Sequence, residues 1–394
     1  MALMPILVVF VLLVAMRLPA RIAMLVAYFV TAGLALFVWN AGGATVAAAT
    51  THGLIVAVTI LFIVFSAILL LNTLKESGAI TAIRRAFMDI SPDRRIQVII
   101  VAWLFCSLVE GSSGFGTPSA VGAPLLLALG FPAMACVMSV LIIQSTPVSF
   151  GAVGTPLLLG VNTGISGKED IAQAIAPMNA EQYLLQITGD VGMLHAMIGF
   201  LIPLILSAFL TRFFGEKRSF LEGLKVAPFA IFAGLAFTIP YFLTAKYKYL
   251  GPEFPSLVGG FVGLLIVVPA AKKGFLVPKE TFDFAPRETW DEDWVGTLPE
   301  DKHDGELGKN ISVFRAFAPY AIIIGLLIIT RVVAPLKAFL VGDMTTIKFP
   351  NLFGTAISSK IQFAYSPGSI LIITSLICIV LFGMKSAQVK RSWA

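Results

Sequence analysis

The chain has 394 residues, of which 58% are hydrophobic and 13% are charged. Soluble domains carry about 25% charged residues, so this composition excludes an ordinary water-soluble surface and predicts an integral membrane protein. The formal net charge of +6 does not indicate nucleic-acid binding, because in a membrane protein Lys and Arg report the orientation of the loops.

Eight apolar segments are predicted to cross the membrane, whose hydrocarbon core takes about 20 helical residues to span. In chain order they are Leu3–Met16, Ile22–Trp39, Leu54–Leu71, Val191–Thr211, Val226–Thr244, Ser256–Ala271, Phe317–Val333 and Ser369–Met384. They predict an all-α polytopic membrane protein. The first segment is short, but no basic residue precedes it, so we interpret it as a span and not as a cleaved signal.

The loops between these segments alternate in charge. Asn40–Gly53 contains no Lys or Arg, whereas Lys and Arg are concentrated in Arg17–Arg21, Lys75–Arg95, Arg212–Lys225 and Lys385–Arg391. Short basic loops stay in the cytoplasm, which predicts an external N-terminus and an internal C-terminus. The acidic loop Lys272–Arg315 begins with two lysines and is also expected to be cytoplasmic. We interpret it as a solvated connector, with a regulatory contact as the alternative.

The long apolar region Ile96–Val161 is interrupted by glycines and by five prolines, which kink or end helices. We therefore predict half-helices with broken or re-entrant segments around residues 110–118 and 144–156. The sequence VGAPLLL at Val121–Leu127 recurs as VGTPLLL at Val153–Leu159, which suggests two related broken helices. Interrupted apolar segments of this kind indicate the binding site of a transporter.

These features divide the chain into five segments. Residues 1–95 hold N-terminal spans and a basic connector, and residues 96–161 form a broken-helix transport core. Residues 162–271 hold further spans, residues 272–315 form the cytoplasmic loop, and residues 316–394 hold the C-terminal spans.

The two breaks carry the polar residues of the candidate site. Non-helical backbone at membrane depth persists only where protein buries it or where it lines a watery cavity, so both breaks are expected to face one chamber. No Lys or Arg lies within Ile96–Val161, so half-helix N-termini and hydroxyls would hold an anion there. The candidate substrate-binding residues are Ser112, Ser113, Gly114, Phe115, Gly116, Thr117, Gln144, Ser145, Thr146, Ser149, Gly151, Gly154 and Thr155.

Glu110 is the candidate residue for proton coupling. An ionised carboxylate near the bilayer midplane costs about 3 kcal/mol on insertion scales. Burial favours the protonated form, so this side chain is suited to exchange a proton while an anion moves. The alternative is a purely structural carboxylate that caps the N-terminus of a half-helix at Gly111–Gly114.

The remaining ionisable and reactive residues suggest structural roles. Asp190 and His195 are interpreted as an interfacial pair, with a proton relay as the alternative, and His52 and His303 as solvated loop residues. The three cysteines, Cys106, Cys136 and Cys378, lie in apolar stretches typical of buried free thiols. The spans contain no nucleophile–base pair or metal-ligand cluster, so the sequence predicts neither an enzyme nor a metal or other cofactor.

The breaks resemble those of the bacterial L-lactate permease family, which are proton-linked carriers of lactate and glycolate. EGSSGFGTPSAVGAPLLLALGFP (Glu110–Pro132) and STPVSFGAVGTP (Ser145–Pro156) are similar to the two hairpin motifs of that family, although Gln144–Ser145 stands where Asn-Thr is frequent. ESGAITAIRRAFMDISPDRRIQ (Glu76–Gln97) and YLGPEFPSLVGG (Tyr249–Gly260) resemble two further stretches.

The resemblance implies a proton-coupled symporter of L-lactate and related 2-hydroxy monocarboxylates in the bacterial inner membrane. Its expected partners are the organic anion, protons and lipid, with no nucleic acid, and Glu110 and the two breaks would form the site. Family members continue into a second half with broken helices of its own, so this chain is expected to hold one wall of the cavity and to need a C-terminal half as a partner. Without the resemblance, an anion channel and a sodium-coupled carrier remain open.

Overall fold

Helices make up most of the computed structural model, which describes residues 3–88, 90–167, 169–247, 250–295 and 311–393. Among these residues, the strands are Ile347–Phe349 and Ser359–Ile361, which pair antiparallel with Lys348 opposite Lys360. The predicted all-α class is therefore confirmed, with one small hairpin added.

The helices are numbered here in chain order. They are α1 (Met4–Ala15), α2 (Ala20–Phe37), α3 (Gly43–Glu76), α4 (Ala79–Met88), α5 (Arg94–Ser112), α6 (Thr117–Ala128), α7 (Ala133–Ser145), α8 (Val148–Ile165), α9 (Ala180–Gly199), α10 (Ile202–Phe214), α11 (Ala227–Lys246), α12 (Pro255–Lys272), α13 (Val313–Val332), α14 (Ala334–Val341), α15 (Pro367–Phe382) and α16 (Ser386–Trp393). Short helical turns occur at Glu169–Ala174, Phe220–Leu224, Arg287–Thr289, Glu292–Val295 and Leu352–Gly354.

Seven of these helices, within the described residues, are long and apolar enough to cross a membrane: α2, α3, α5, α8, α11, α12 and α13. Of these, α8 is interrupted by non-helical backbone at Ala152–Gly154. Helices α9 and α10 form a pair bent by 41°, which raises the number to eight if they are one span. The shorter apolar helices α1, α6, α7 and α15 add to these. The predicted polytopic architecture is confirmed, because every predicted apolar segment falls on one or two of these helices.

Local sequence explains where several of the helices begin and end. Asp93 caps α5, since its carboxylate accepts a hydrogen bond of 2.9 Å from the backbone N–H of Arg95. Asn179 and Gln182 form a reciprocal capping box at the start of α9. Pro255 occupies the first turn of α12, where its missing N–H costs nothing, and α15 ends at Gly383 in the left-handed conformation.

Helix α5 is buried along its whole length and lies at the centre of the packing. Small residues let α12 approach it backbone to backbone: a Cβ atom on Gly111 would lie 2.7 Å from Leu257 N, and one on Gly260 would lie 2.7 Å from Leu108 N. Any larger side chain at these positions would force the two helices apart. The close contact therefore holds the last two turns of α5, which include Glu110, against the start of α12.

The chain forms two compact units, one of residues 1–61 with 341–363 and one of residues 62–340 with 364–394. The first contains α1, α2, the start of α3 and the hairpin. The second contains both breaks. The division into five segments made from the sequence stays a prediction.

Four of the predicted cytoplasmic loops are joined to one another in the second unit. Arg95 pairs with Asp93 at 2.6 Å and donates to the carbonyls of Glu222 at 2.6 Å and Glu280 at 2.8 Å. Arg391 pairs with Glu76 at 2.8 Å, which attaches the C-terminal loop to the same connector. These contacts agree with the charge pattern, which placed all four loops on one side.

The described part of the loop Lys272–Arg315 is mostly exposed, which agrees with a solvated connector. Phe282 is the exception among the described residues: it is only 5% exposed, and its N–H donates to Asp93 at 3.2 Å while its carbonyl accepts from Arg94 N at 3.0 Å. This residue attaches the otherwise exposed loop to the start of α5.

Candidate site at two left-handed turns

The two breaks have the same backbone conformation. The first contains three consecutive residues with positive φ, Gly114 at 56°, Phe115 at 50° and Gly116 at 81°. The second contains Ala152 at 46°, Val153 at 54° and Gly154 at 75°. L-residues avoid this region, and a β-branched residue such as Val153 is a marked outlier there. We call Gly114–Gly116 and Ala152–Gly154 the first and second left-handed turns.

The same side-chain hydrogen bond closes both turns. Thr117 Oγ1 donates to the carbonyl of Gly114 at 2.7 Å, and Thr155 Oγ1 donates to the carbonyl of Ala152 at 2.5 Å. A proline follows each threonine in the first turn of the next helical segment. The repeated structural unit is therefore GFGTP, which matches AVGTP 38 positions later in the printed sequence.

The repeat predicted from VGAPLLL and VGTPLLL is not the structural one. It would align Pro124 with Pro156, yet Pro124 lies inside α6 whereas Pro156 begins a helical segment. The two stretches have similar sequences because both belong to apolar half-helices. The equivalent positions are instead defined by the left-handed turns, which align Gly114–Pro118 with Ala152–Pro156.

The two left-handed turns meet at equivalent residues. A Cβ atom on Gly114 would lie 2.6 Å from both the N and the Cβ atoms of Ala152. One residue earlier, Gly151 packs directly against the carboxylate of Glu110. The structure thus brings both breaks to one place. This was expected, because non-helical backbone at membrane depth persists only where protein buries it or where it lines a watery cavity.

Glu110 lies in the last turn of α5 and is only 3% exposed. Its Oε2 atom is buried and has no hydrogen-bond partner in the part of the chain that the structure describes. The hydroxyl of Ser107, one turn earlier on the same face, is in the same situation. The capping interpretation was wrong, because Gly111–Gly114 lies at the C-terminal end of a helix and does not begin one.

The hydroxyls of the first break are directed at the backbone. Ser112 Oγ donates to the carbonyl of Val109 at 3.0 Å and lies 3.3 Å from Ser113 Oγ. Ser112, Ser113 and Thr117 are buried, whereas Phe115 is 47% exposed and Gly116 is exposed beside it. At the second break, Thr146, Gly151, Gly154 and Thr155 are buried, Gln144 and Ser149 are half-buried, and Ser145 is exposed. Their role in binding substrate stays a prediction.

The chain as a whole matches a known family. The L-lactate permease family profile matches residues 1–394. The chain belongs to the L-lactate permease family. Membership places it among membrane permeases, which agrees with its candidate spans.

Individual relatives of this family member carry related names. A Haemophilus influenzae protein provisionally named an L-lactate permease is 31% identical over 394 residues, covering 95% of this chain and 66% of that protein. The glycolate permease of Escherichia coli K12 is 29% identical over 266 residues, which cover 67% of this chain and 43% of the relative. The L-lactate permease of the same strain is 28% identical over 271 residues, or 68% and 44%. This chain spans less than two thirds of the length of each, and no solved structure matches it.

Two polar side chains hold the backbone of the second break. Tyr241 in α11 donates its hydroxyl to the carbonyl of Thr146 at 2.9 Å, and Ser256 in α12 donates to the carbonyl of Pro147 at 2.7 Å. Both were missed from the sequence. The available signal was a tyrosine inside an apolar span, since a buried Tyr hydroxyl usually has a hydrogen-bond partner.

His195 contacts Tyr241 and not Asp190. Its Nδ1 lies 2.8 Å from the Tyr241 hydroxyl. Because the single Tyr241 proton is donated to Thr146, His195 donates through Nδ1. The predicted interfacial pair was wrong, because five residues along a helix separate two side chains by about 140°, and Asp190 is exposed.

The other histidines also differ from the sequence interpretation or fall outside it. His52 was expected in a solvated loop, but it lies within α3 and is half-buried. The loop was misplaced because the helix begins at Gly43, before the apolar stretch. His303 lies outside the described residues. Cys106, Cys136 and Cys378 are buried free thiols, as predicted.

An ion pair that the sequence interpretation missed lies beside the second turn. Arg331 Nε is 2.7 Å from Glu253 Oε1, and the two side chains are 6% and 4% exposed. Arg331 stands at the end of an apolar segment, where a single arginine in a span is itself a functional signal. Its partner could not be identified from the sequence because the two residues are far apart along the chain.

Proposed function

We propose that this chain carries the coupling site of a secondary active transporter that takes up L-lactate and related short 2-hydroxy monocarboxylates together with protons. The names of its relatives support the substrate class, since they include L-lactate and glycolate permeases. The bacterial inner membrane is the proposed location. The observation that carries the coupling role is the buried carboxylate of Glu110, one oxygen of which has no hydrogen-bond partner among the residues that the structure describes.

The charge state of Glu110 is proposed to control the contact between α5 and the second break. An ionised carboxylate that is buried without a hydrogen-bond donor is strongly disfavoured. The protonated form therefore favours the closed contact with Gly151 seen here. Loss of the proton favours a state in which the contact opens and water or another donor reaches the carboxylate. A ligand that binds one of these states better shifts the equilibrium between them.

This arrangement couples a proton to an anion without a permanent charge at the contact. A protonated Glu110 removes the repulsion that an incoming carboxylate would meet, and the substrate is proposed to bind at the polar residues of both breaks. The left-handed turns hold these residues together, because Gly114 and Ala152 are in contact. Proton and substrate then occupy the same closed state, which is the requirement for symport.

The test replaces Glu110 with glutamine, which resembles the protonated side chain but cannot release a proton. In proteoliposomes with an alkaline interior, the unmodified chain together with the C-terminal half that the family resemblance implies is expected to accumulate L-lactate above its external concentration. Glu110→Gln should abolish this accumulation and retain exchange of labelled for unlabelled lactate, because exchange needs no net proton release. The measurement is uptake of radiolabelled L-lactate with and without the pH gradient.

Glu280→Gln serves as the control, because Glu280 is an exposed carboxylate that pairs with Lys225 in a loop. Accumulation by Glu110→Gln driven by the pH gradient would refute the coupling role. Accumulation that follows a sodium gradient would instead favour the sodium-coupled carrier. Downhill flux without accumulation would favour an anion channel.

A further inference from the structure

The buried guanidinium of Arg331 has an unused donor edge. Its Nε contacts Glu253 at 2.7 Å, and its Nη2 donates to the carbonyl of Tyr365 at 2.8 Å. Its Nη1 is buried and has no hydrogen-bond partner among the described residues. A guanidinium has five N–H donors. Buried donors without a partner are destabilising, so a purely structural ion pair would not explain why Nη1 is left unpartnered.

Both partners of Arg331 come from segments that touch the second break. Glu253 follows Pro252, and a Cβ atom on Gly154 would lie 2.6 Å from the Pro252 carbonyl and 2.8 Å from Glu253 N. Tyr365 lies two residues before the start of α15, which contacts Gly151–Thr155. The guanidinium is therefore attached on two sides to segments that pack on the second left-handed turn.

The guanidinium is also held in a fixed orientation. Its central carbon lies 3.7 Å from the centroid of the Tyr365 ring, a stacking contact on the face of the planar group. A fixed guanidinium whose buried Nη1 has no partner among the described residues suits a carboxylate, which accepts N–H bonds from a guanidinium. Region 96–161 itself contains no Lys or Arg, so Arg331 supplies a cation that this region lacks.

We propose that Arg331 binds the carboxylate of the transported monocarboxylate through its Nη1 edge, next to the second left-handed turn. This inference rests on the proposed function for its substrate class. Glu253 orients the guanidinium and also competes with the substrate for its charge. The substrate hydroxyl is then left to the polar groups of the breaks.

The roles of the two residues predict effects of opposite sign. Glu253→Gln removes the competing carboxylate and keeps a hydrogen-bond acceptor for Nε. It also leaves the buried guanidinium without its anion, so thermal unfolding must show that the variant folds. The substrate carboxylate then supplies the missing counter-charge, so L-lactate should bind as tightly as before or more tightly. Arg331→Gln alone would leave Glu253 buried without a cation, which threatens the fold. The double variant Glu253→Gln with Arg331→Gln avoids that charge, and its dissociation constant for L-lactate should rise about tenfold or more.

The experiment measures Kd for radiolabelled L-lactate on the purified full chain in detergent, with thermal unfolding to verify that each variant folds. Lactamide, the neutral amide of lactate, is the second probe. The double variant should lose the preference for lactate over lactamide, because only the carboxylate uses the guanidinium. A structural role would weaken both ligands equally. Lys225→Gln is the control for removal of a paired cation, since Lys225 forms an exposed pair with Glu280 at 2.6 Å in a loop and its loss should leave Kd unchanged.

The outcomes separate this inference from the proposed function. If the unmodified chain binds no monocarboxylate, the proposed function fails and this inference falls with it. If the unmodified chain binds L-lactate and the double variant binds it with the same Kd and the same preference over lactamide, Arg331 is not the anion site. Equal loss of binding in Glu253→Gln and in the double variant would also overturn the proposal. It would mean that binding depends on the intact ion pair and not on a contact between Arg331 and the substrate.

Discussion

Single side chains near the second break hold its backbone in place by donating hydrogen bonds to its carbonyls. The break interrupts the helical hydrogen-bond ladder, so the carbonyl of Thr146 needs another donor, and the carbonyl of Pro147 accepts a second one besides the N–H of Phe150. Tyr241 and Ser256 supply them from two neighbouring helices. Glu110 is the exception at this scale, since one of its oxygens stays unpartnered within the described residues. A satisfied backbone beside an unsatisfied carboxylate is the pattern expected of a rigid site around a titrating group.

Replacing Tyr241 with phenylalanine should test this positioning. The variant keeps the ring contact with Phe150 but leaves the carbonyl of Thr146 buried without a donor. We expect a loss of about 1–3 kcal/mol in unfolding free energy and a lower rate of lactate exchange. Thermal unfolding in detergent and exchange in proteoliposomes measure the two effects.

Ser375→Ala is the control for removal of a buried hydroxyl. Ser375 donates to the carbonyl of Leu371 in its own helix at 2.8 Å, so its loss leaves no helical carbonyl without its ladder partner. If Tyr241→Phe and Ser375→Ala behaved alike in both assays, the positioning role of Tyr241 would be excluded.

At the scale of elements, the two left-handed turns allow four helical segments to meet at one point. Each turn reverses or redirects the chain in three residues and begins the next helical segment with Thr-Pro. Strain of this kind costs about 1–2 kcal/mol per non-glycine residue and persists only where surrounding packing enforces it. Phe115, Ala152 and Val153 carry that strain, so packing energy from the helices maintains the shape of the site.

Gly116 and Gly154 form a matched pair that separates backbone strain from packing. Both have positive φ, 81° and 75°, but a Cβ atom on Gly116 would meet nothing within 4 Å, whereas one on Gly154 would meet Pro252 at 2.6 Å. Gly116→Ala should cost about 1–2 kcal/mol in unfolding free energy. Gly154→Ala should cost more and should also impair lactate binding, because it displaces the segment that carries Glu253.

Thermal unfolding and the dissociation constant for L-lactate measure these two effects. Equal losses in the two variants would show that the contact between Gly154 and Pro252 does not support the site.

At the scale of the whole molecule, the loops on the predicted cytoplasmic side close one end of the second unit. The Asp93–Arg95 pair is buried, with side chains 0% and 1% exposed, and it connects the start of α5 to two other loops. Removing one partner of a buried pair leaves an uncompensated charge. These contacts fix the start of α5, so the orientation of this helix and the position of Glu110 depend on them.

Asp93→Ala should therefore lower the unfolding free energy by about 3–5 kcal/mol. Glu280→Ala removes the acid of an exposed pair with Lys225 and should leave stability unchanged within error. Denaturant or thermal unfolding of both variants in detergent checks the difference. A small effect of Asp93→Ala would mean that the end of α5 is held by apolar packing alone.

Much of this architecture could be predicted without coordinates, for reasons that are local in the chain. Glycine and proline mark both breaks, because their effect on backbone conformation does not depend on distant residues. The charge of the loops predicted which of them share a side. Two wrong predictions concerned side chains on helices. His195 was predicted to pair with Asp190, which lies on a different face of the same helix, and the capping interpretation placed Glu110 at the start of a helix, whereas it lies at the end of one.

The sequence by itself determined the membrane class, the helical content and the location of the two breaks, since composition and short-range conformational preference are enough for these. Tertiary structure alone decided which groups surround the breaks. Tyr241 and Ser256 are distant from Ile96–Val161 in the chain, and only the close packing of small residues between helices brings their donors to it. Periodicity describes one helix at a time, whereas a binding site depends on contacts between several.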